Sequence, residues 1–234
     1  MNELNLIRHI IPRLRQNQDT VVGPGDDCAV VRCGNELLLL AADQVISDVH
    51  YLKDTPPEQV AAKLLKRNLS DIAAMGGIPF CALITLAGNI VDDTWFHRFF
   101  SGMATEAERF GVSVSGGDLA VLPPGCPADT MVATLTITGK VEENKICRRN
   151  TARPGELVMA TGEFGNSFRS QHHLDFTPRL EEALLLAGRY THCMIDVSDG
   201  LLPDLTRLAE ASDVGIILTP ENIPLRSGAT PDGA

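Results

Sequence analysis

The sequence predicts an α/β (α+β) protein made of two consecutive units, residues 1–148 and residues 149–234. Three patterns indicate this class. Short apolar stretches alternate with longer segments in which apolar residues recur every three or four positions, as they do on amphipathic helices. Residues 131–141 alternate between apolar and small polar side chains, as a half-buried strand requires. A polar connector at residues 148–156 then separates the two units.

The first unit begins with an amphipathic segment, and a helix is expected within residues 1–18. A strand is predicted at the apolar residues 37–42. The sequence Thr55-Pro-Pro-Glu58 is typical of a helix start, with the threonine as the cap and a proline in the first turn. This helix is predicted to run to Met75 and to end at the two glycines that follow.

The remaining elements are predicted from the same alternation of patterns. In the first unit we expect a helix from residue 93 or 94 to residue 111, a strand at residues 112–115 and the strand at residues 131–141. The second unit is predicted to hold strands at residues 157–161, 194–198 and 214–219 and helices at residues 178–188 and 201–211. The stretch after residue 226 is loop-like, so we expect this unit to be incomplete.

Charge and composition narrow the classes of function. The chain carries 30 acidic and 20 basic residues, a net charge of −10. Nucleic acids and anionic membranes both attract basic surfaces, so this balance argues against either partner. No apolar run is long enough to span a bilayer, and the six cysteines form no Cys-x-x-Cys pair. These features favour a soluble cytoplasmic protein with reduced thiols.

Several aspartates are placed where a metal ion could be bound. Asp43 follows the predicted strand at residues 37–42, and Asp118 follows a short strand and two glycines. Asp196 lies within an apolar strand, and Asp199 begins the next helix. Carboxylates at strand ends are frequent Mg²⁺ ligands, because Mg²⁺ prefers oxygen and leaves positions open for phosphates. Taken singly, a turn hydrogen bond for Asp43 and a helix cap for Asp199 are the simpler interpretations.

Two of the aspartates are harder to explain as surface charge. Asp71 shares a helix face with Leu64 and Asn68 at the edge of an apolar stripe, so a site-facing and a solvated position fit the pattern equally well. Asp196 is flanked by Met, Ile and Val, where a carboxylate is costly unless a cation or a donor meets it. Asp27 belongs to an adjacent acidic pair, and clustered carboxylates need a cation to offset their repulsion.

Other kinds of site have little support in the sequence. It contains no Gly-x-x-x-x-Gly-Lys-Ser/Thr loop, and no Gly-x-Gly-x-x-Gly leads from a strand into a helix. ATP binding would therefore use metal-bridged aspartates. The histidines and cysteines lack the spacing of zinc ligands. His50 follows Asp43 by seven residues, and either a structural role or a substrate contact fits that position.

The motifs together resemble the thiamine-monophosphate kinase family, part of the aminoimidazole ribonucleotide synthetase superfamily. Their order and spacing match from about residue 4 to residue 225. The matching motifs are Gly25-Asp-Asp-Cys-Ala29, Asp43 with Val49-His50-Tyr51, Asn68-Leu-Ser-Asp-Ile-Ala-Ala-Met-Gly76, Gly116-Gly-Asp118 and Ile195-Asp-Val-Ser-Asp-Gly-Leu201. Five ordered matches of this kind are much more specific than any single glycine motif.

The resemblance implies a two-domain fold in which N-terminal sheets pair across a homodimer into a β-barrel. It also implies the transfer of a phosphoryl group from ATP to thiamine monophosphate, giving thiamine diphosphate, without a catalytic side chain. The implied ligands of Mg²⁺ are Asp27, Asp43, Asp71, Asp118, Asp196 and Asp199. The implied ATP contacts are Gly117, Arg149 and Ser198, and His50 is the implied substrate contact.

The chain departs from the family pattern at three places. Ala41 and Ala42 stand where the family usually has Ser-Thr, and Leu119 stands where a threonine is common. A Gly-Glu-Asp-Tyr-Glu-like segment, which supplies substrate contacts, is expected after residue 234. Two alternatives therefore stay open. One is a superfamily relative with another substrate, resembling selenophosphate synthetase or a hydrogenase-maturation protein, and the other is a non-catalytic nucleotide-binding or dimerisation module.

Overall fold

A computed structural model describes residues 3–89, 93–123, 125–126 and 130–230 of the chain. Six strands form one sheet in this part of the chain. The strands are β1 Thr20–Val22, β2 Ala29–Cys33, β3 Glu36–Ile46, β4 Ile78–Gly88, β5 Ser113–Val121 and β6 Met131–Val141. The α-helices are α1 Glu3–Ile10, α2 Pro57–Ala74, α3 Asp93–Arg109, α4 His172–Asp175, α5 Leu180–Leu186 and α6 Leu201–Ser212.

The sheet has the strand order β1-β2-β3-β6-β4-β5. All neighbouring strands are antiparallel except β4 and β5, which are parallel and are joined through α3. The long strands β3, β6 and β4 form the centre, where their apolar side chains alternate toward the helices. One face of the sheet is therefore covered by helices, and the other carries more exposed side chains.

Helix α2 is the centre of the core. Its side chains Leu64, Leu65, Leu69 and Ile72 are all fully buried. The sheet covers one side of this helix, and α3, α4 and α5 cover others. At Gly102, on α3, an added Cβ would lie 2.5 Å from the Cα atom of Glu58, so a glycine lets the two helices approach closely. Because α2 is covered on several sides, it holds the residues at its C-terminal end in fixed positions.

The start of α2 differs from the prediction. Thr55 does not cap the helix; Pro56 occupies the cap position, and no side chain supplies a capping bond. The consecutive prolines at this end lack backbone N–H groups, so fewer donors need a partner there. The predicted stop is confirmed, because the chain leaves the helix through Gly76 at a φ of +72°.

Several strand and helix boundaries also differ. Strand β3 is longer than the predicted 37–42, and β5 is longer than the predicted 112–115, because both continue along neighbouring strands. The N-terminal helix is shorter than residues 1–18, since α1 passes into a 3-10 turn at Ile11–Arg13, which contains a proline. The strand Met131–Val141 is confirmed residue for residue.

The three strands predicted after residue 150 are wrong. Residues 157–161, 194–198 and 214–219 contain no strand, because no neighbouring segment forms a backbone ladder with them. Their apolar side chains are correspondingly open: Leu157 is 89% exposed and Ile217 is 94% exposed. The two predicted helices of this region are confirmed as α5 and α6. Within the described ranges, no helix has the length and apolar character needed to cross a membrane.

Candidate metal-binding site

Three aspartates from distant parts of the chain converge at one place. The carboxylate oxygens of Asp27, Asp71 and Asp196 all lie within 4.8 Å of one another. Asp27 comes from the turn before β2, Asp71 from the last turns of α2, and Asp196 from the extended segment before α6. We call these residues the three-aspartate cluster. Within residues 3–89, 93–123, 125–126 and 130–230, it is the one group of at least three acidic, histidine or cysteine side chains that are close enough together to hold a metal ion.

Burial and mutual repulsion raise the pKa values of two carboxylates of this cluster. Burial, followed by the charges of Asp196, Asp43 and Asp27, raises the pKa of Asp71 to about 9. Burial and the charge of Asp27 likewise raise the pKa of Asp196 to about 7, against a hydrogen bond of 3.0 Å from the Ser70 hydroxyl. A divalent cation would relieve this repulsion, and three carboxylates are the hard oxygen donors that Mg²⁺ prefers. The residues therefore fit Mg²⁺.

Arg149, in the second half of the chain, forms hydrogen bonds with both Asp26 and Asp27 in the turn between β1 and β2. Its guanidinium bonds both carboxylate oxygens of Asp27, with an Nε–Oδ2 distance of 3.2 Å. Its backbone N–H donates to the carboxylate of Asp26, at 3.2 and 3.3 Å from the two oxygens. Asp26 thus orients the arginine, a role for which the sequence offered only the adjacency of the two acids.

Asp43 lies inside β3 rather than after it. Arg67 grips its carboxylate with two bonds, Nε to Oδ2 at 2.8 Å and Nη2 to Oδ1 at 3.1 Å. The backbone N–H of Asp43 donates to the Oδ1 atom of Asn68 at 3.1 Å. Sequence reasoning did not identify Arg67; its place four residues before Asp71 on the same helix was the available signal.

Asp118 and Gly117 lie within β5, away from the three-aspartate cluster. Asp118 is exposed and shares a row across the sheet with Thr85 and Thr134, whereas Asp43 shares the next row with the buried Leu135. Neighbouring rows point to opposite faces, so Asp118 faces away from α2. A Cβ at Gly117 would overlap the carbonyl oxygen of a β4 residue, so this glycine is required by strand pairing.

The segment before α6 is organised by Asp204. Its carboxylate accepts the backbone N–H groups of Ser198 and Asp199, each at 3.0 Å. Arg207 joins the carboxylates of Asp204 and Asp199 with bonds of 2.5 Å. The interpretation of Asp199 as the helix cap is wrong, because Gly200 occupies that position. Asp204, only 1% exposed, reaches back from the first turn of α6 and fixes the two residues that precede the cap.

His50 is presented by a tight turn between β3 and α2. The backbone N–H of Ile46 donates to its Nδ1 atom at 3.0 Å, which leaves the proton of the neutral ring on Nε2. Burial, followed by the charges of Arg67 and Lys63, lowers the pKa of this histidine and favours the neutral ring. Lys63 also donates to the backbone carbonyl of His50 at 2.5 Å. The turn therefore offers one N–H donor in a defined direction.

Comparisons with known proteins decide the family. The family model described as AIR synthase related protein, N-terminal domain, matches residues 25–141. The thiamine-monophosphate kinase of Bacillus subtilis (strain 168) is 32% identical over 254 residues, which cover 97% of this chain and 76% of that protein. The enzyme of the same name from Haemophilus influenzae is 31% identical and covers 97% and 73%. The chain belongs to the thiamine-monophosphate kinase family.

Solved structures of the thiamine-monophosphate kinase family share this fold. AaThiL complexed with AMPPCP and TMP has a TM-score of 0.85 at 28% identity, covering 96% of this chain and 75% of that chain. Thiamine monophosphate kinase from Aquifex aeolicus has a TM-score of 0.81 at 26% identity, covering 99% and 84%. The mixed α/β fold predicted from the sequence is confirmed, and so is the family resemblance.

In this member of the thiamine-monophosphate kinase family, the predicted site residues fall into two groups. The structure brings Asp27, Asp71 and Asp196 together, with Arg149 bound to one of them. It does not bring Asp118 or Asp199 into that group, because their carboxylate oxygens do not lie within 4.8 Å of those of all three cluster members. Of the two positions considered for Asp71, the structure shows the one that faces the site: the residue is half-buried, and its carboxylate lies beside those of Asp27 and Asp196.

Proposed function

We propose that this chain transfers the terminal phosphoryl group of ATP to thiamine monophosphate, forming ADP and thiamine diphosphate, with Mg²⁺ at the three-aspartate cluster. Family membership carries the proposal: the similarity to named thiamine-monophosphate kinases extends over 97% of the chain. The solved relative AaThiL is complexed with AMPPCP, which is an analogue of ATP, and with TMP. The convergence of three carboxylates supports the metal part of the proposal.

The reaction fits side chains of this kind. The acceptor is already a phosphate anion, so no strong general base is needed, and positioning and charge neutralisation carry most of the catalysis. Bound Mg²⁺ supplies that neutralisation at the phosphate oxygens. Arg149, already directed at Asp27, and the ordered segment at Ser198 are proposed as contacts of the ATP phosphates. The Nε2–H group of His50 is proposed as a donor to the thiamine phosphate.

The nucleotide base has a candidate position between α3 and Leu119 of β5. A hollow of about 280 Å³ is lined by Asp93, Phe96, His97, Phe100 and Leu119. Aromatic walls suit a flat heterocycle, because stacking provides affinity without a specific hydrogen-bond pattern. We therefore propose that the base lies in this hollow and that Gly117, on the same face of β5 as Leu119, belongs to the ATP site, whereas Asp118 points to the other face. Asp43 and Asp199 are proposed to lie around the phosphates rather than in the three-aspartate cluster.

A homodimer and a cytoplasmic location belong to the same proposal. The open face of the sheet exposes the apolar residues Leu40, Phe80 and Leu83, between 38% and 53%. Two such sheets facing each other would bury these side chains, which supports pairing across a dimer into a barrel. All six cysteines are free thiols in the structure, which supports a reducing compartment.

The direct test is an assay with the purified chain, MgCl₂, ATP and thiamine monophosphate. We expect ADP and thiamine diphosphate in equal amounts, measured by chromatography with fluorescence detection after oxidation to thiochromes. EDTA should stop the reaction, and excess Mg²⁺ should restore it. Tight ATP binding without any turnover that depends on thiamine monophosphate would contradict the proposal. It would favour the non-catalytic nucleotide-binding module.

A further inference from the structure

Asp43 is fixed to helix α2 at two points. Arg67 engages both oxygens of its carboxylate, at 2.8 and 3.1 Å. The next residue of the helix, Asn68, accepts the backbone N–H of Asp43, and its own amide donates to the carbonyl of Leu64 at 2.9 Å. Asn68 is fully buried. The aspartate is therefore held by the buried central helix, and its charge is already matched by a guanidinium.

The surroundings of Asp43 offer a metal ion little else. Ala41 and Ala42 precede it and carry no side-chain oxygen. Its carboxylate does not belong to the three-aspartate cluster. Mg²⁺ needs several oxygen ligands in octahedral geometry, and a site beside a guanidinium would also repel it. One carboxylate with both oxygens engaged by an arginine does not satisfy these requirements.

Arg67 is bonded to Asp43 and is close enough to the three-aspartate cluster to be influenced by two of its charges. Burial opposes its charge, but the hydrogen bonds and charge of Asp43, followed by the charges of Asp71 and Asp196, raise the pKa of the guanidinium. An arginine side chain is always protonated in proteins and has five N–H donors, of which Asp43 takes two. The side chain is 26% exposed, so the remaining donors can meet a ligand.

We propose that Arg67 is a built-in cation that takes the place of a metal ion at Asp43 and binds a phosphate oxygen of the nucleotide with its remaining N–H groups. The planar fork of an arginine recognises a carboxylate and a phosphate with the same geometry. Metal ions are then confined to the three-aspartate cluster. The inference rests on the proposed function only for the presence of a nucleotide phosphate at the site.

The wild-type protein provides the first test. Crystals grown with Mn²⁺ and the non-hydrolysable analogue AMPPCP would show the metal ions directly by anomalous scattering. We expect Mn²⁺ on the three-aspartate cluster, no Mn²⁺ coordinated by Asp43, and an Arg67 N–H within hydrogen-bond distance of a phosphate oxygen. Mn²⁺ bound to Asp43, with the arginine displaced, would overturn the proposal. So would a guanidinium that contacts no phosphate.

Variants provide the second test, with bound Mn²⁺ counted by electron paramagnetic resonance in the presence of AMPPCP. Asp43→Asn should leave the count unchanged. Arg67→Met should add one ion, because the freed carboxylate and the AMPPCP phosphate oxygens that the arginine contacted can then coordinate a cation together. Arg67→Lys keeps the charge and should leave the count unchanged. Arg98→Met is the matched control, because Arg98 forms a comparable two-bond pair with Glu58 on the surface, at 2.6 and 2.9 Å.

Two results of the counting would reject the proposal. The first is a lower count in Asp43→Asn, which would make the aspartate a metal ligand. The second is an unchanged count in Arg67→Met, which would mean that the arginine occupies no place a metal could take. Thermal unfolding of each variant checks that it is folded. No phosphate acceptor is present in these experiments, so they stand apart from the test of thiamine monophosphate as substrate.

Discussion

Similar apolar patterns form a strand in the first half of the chain and no strand in the second half. In the first half, the pattern of residues 131–141 becomes a central strand with neighbours on both sides. In the second half, residues 214–219 are also apolar but form no strand. An apolar pattern thus indicates which side chains favour burial, whereas a strand also needs a neighbouring strand to accept and donate its backbone hydrogen bonds. The candidate site lies where the halves meet, with Asp196 and Arg149 reaching aspartates of the first half.

The contrast in burial predicts a large difference in stability between matched substitutions. Leu69→Ala removes a fully buried side chain from α2 and should lower the free energy of unfolding by about 2–5 kcal/mol. Ile217→Ala removes a side chain that is 94% exposed and should change it by less than about 0.5 kcal/mol. Urea unfolding measures both. Similar losses for the two variants would contradict the contrast.

The substitution Asp71→Asn tests whether the three-aspartate cluster, where the two halves meet, binds a metal ion. This change keeps the shape of the side chain but removes a carboxylate from the three-aspartate cluster, so turnover should fall by at least about 100-fold. Without metal the variant should be more stable than the wild type near pH 7, because folding then no longer has to protonate a carboxylate whose pKa burial raises to about 9. Asp175→Asn, at an exposed carboxylate, is the control and should leave both quantities unchanged.

A rise in turnover, or a loss of stability without metal, would contradict the assignment of Asp71 to a metal-binding cluster. Circular dichroism during heating in EDTA measures the stability, and the thiamine diphosphate assay measures the turnover. The two readouts move in opposite directions for a metal ligand. A residue that only supports the fold would lower both.

Burial at this junction also predicts a pH dependence of the metal-free protein. The pKa values of Asp71, about 9, and Asp196, about 7, are raised above the ordinary 3.8. The native state therefore holds more protons than the unfolded state between about pH 4 and about pH 9, so its stability falls as the pH rises through this range. Urea midpoints measured in EDTA should decrease from about pH 5 to about pH 8. A rising midpoint would contradict the burial of these carboxylates.

A smaller effect is expected from the turn that carries His50. Lys63 is nearly buried and donates to the His50 carbonyl, so Lys63→Met should loosen the turn and raise the KM for thiamine monophosphate about tenfold, the effect of losing one charged hydrogen bond. The KM for ATP should stay unchanged. Lys66→Met is the control: Lys66 is also buried and bonds the carbonyl of Leu174, away from His50. Equal effects on both KM values would contradict the role of the turn.

Much of the first half could be predicted from the sequence because its signals are local. The alternation at residues 131–141 gave a strand with the correct ends, and the glycine after Met75 gave the end of α2. The positions of Asp43 and Asp118 could not be predicted in the same way. Both were expected just beyond a strand, but the strands continue past them because the register with neighbouring strands permits it.

The contacts of the site depend on long-range geometry that no local pattern contains. The cluster of Asp27, Asp71 and Asp196 was expected because a family resemblance linked the motifs. The pairing of Arg67 with Asp43 had no such support. It depends on how α2 crosses β3, a packing angle that spacing along one segment does not determine.

The distance along the chain between the members of the cluster has a consequence for biosynthesis. Asp196 follows Asp27 by 169 residues, so a chain emerging from the ribosome exposes the first acids long before the last one exists. Domains generally fold as units during synthesis, with the N-terminal part first. The three-aspartate cluster can therefore close only after residue 196 has been synthesised. A divalent ion that binds there would stabilise chains that extend beyond Asp196 and would give little advantage to shorter nascent ones.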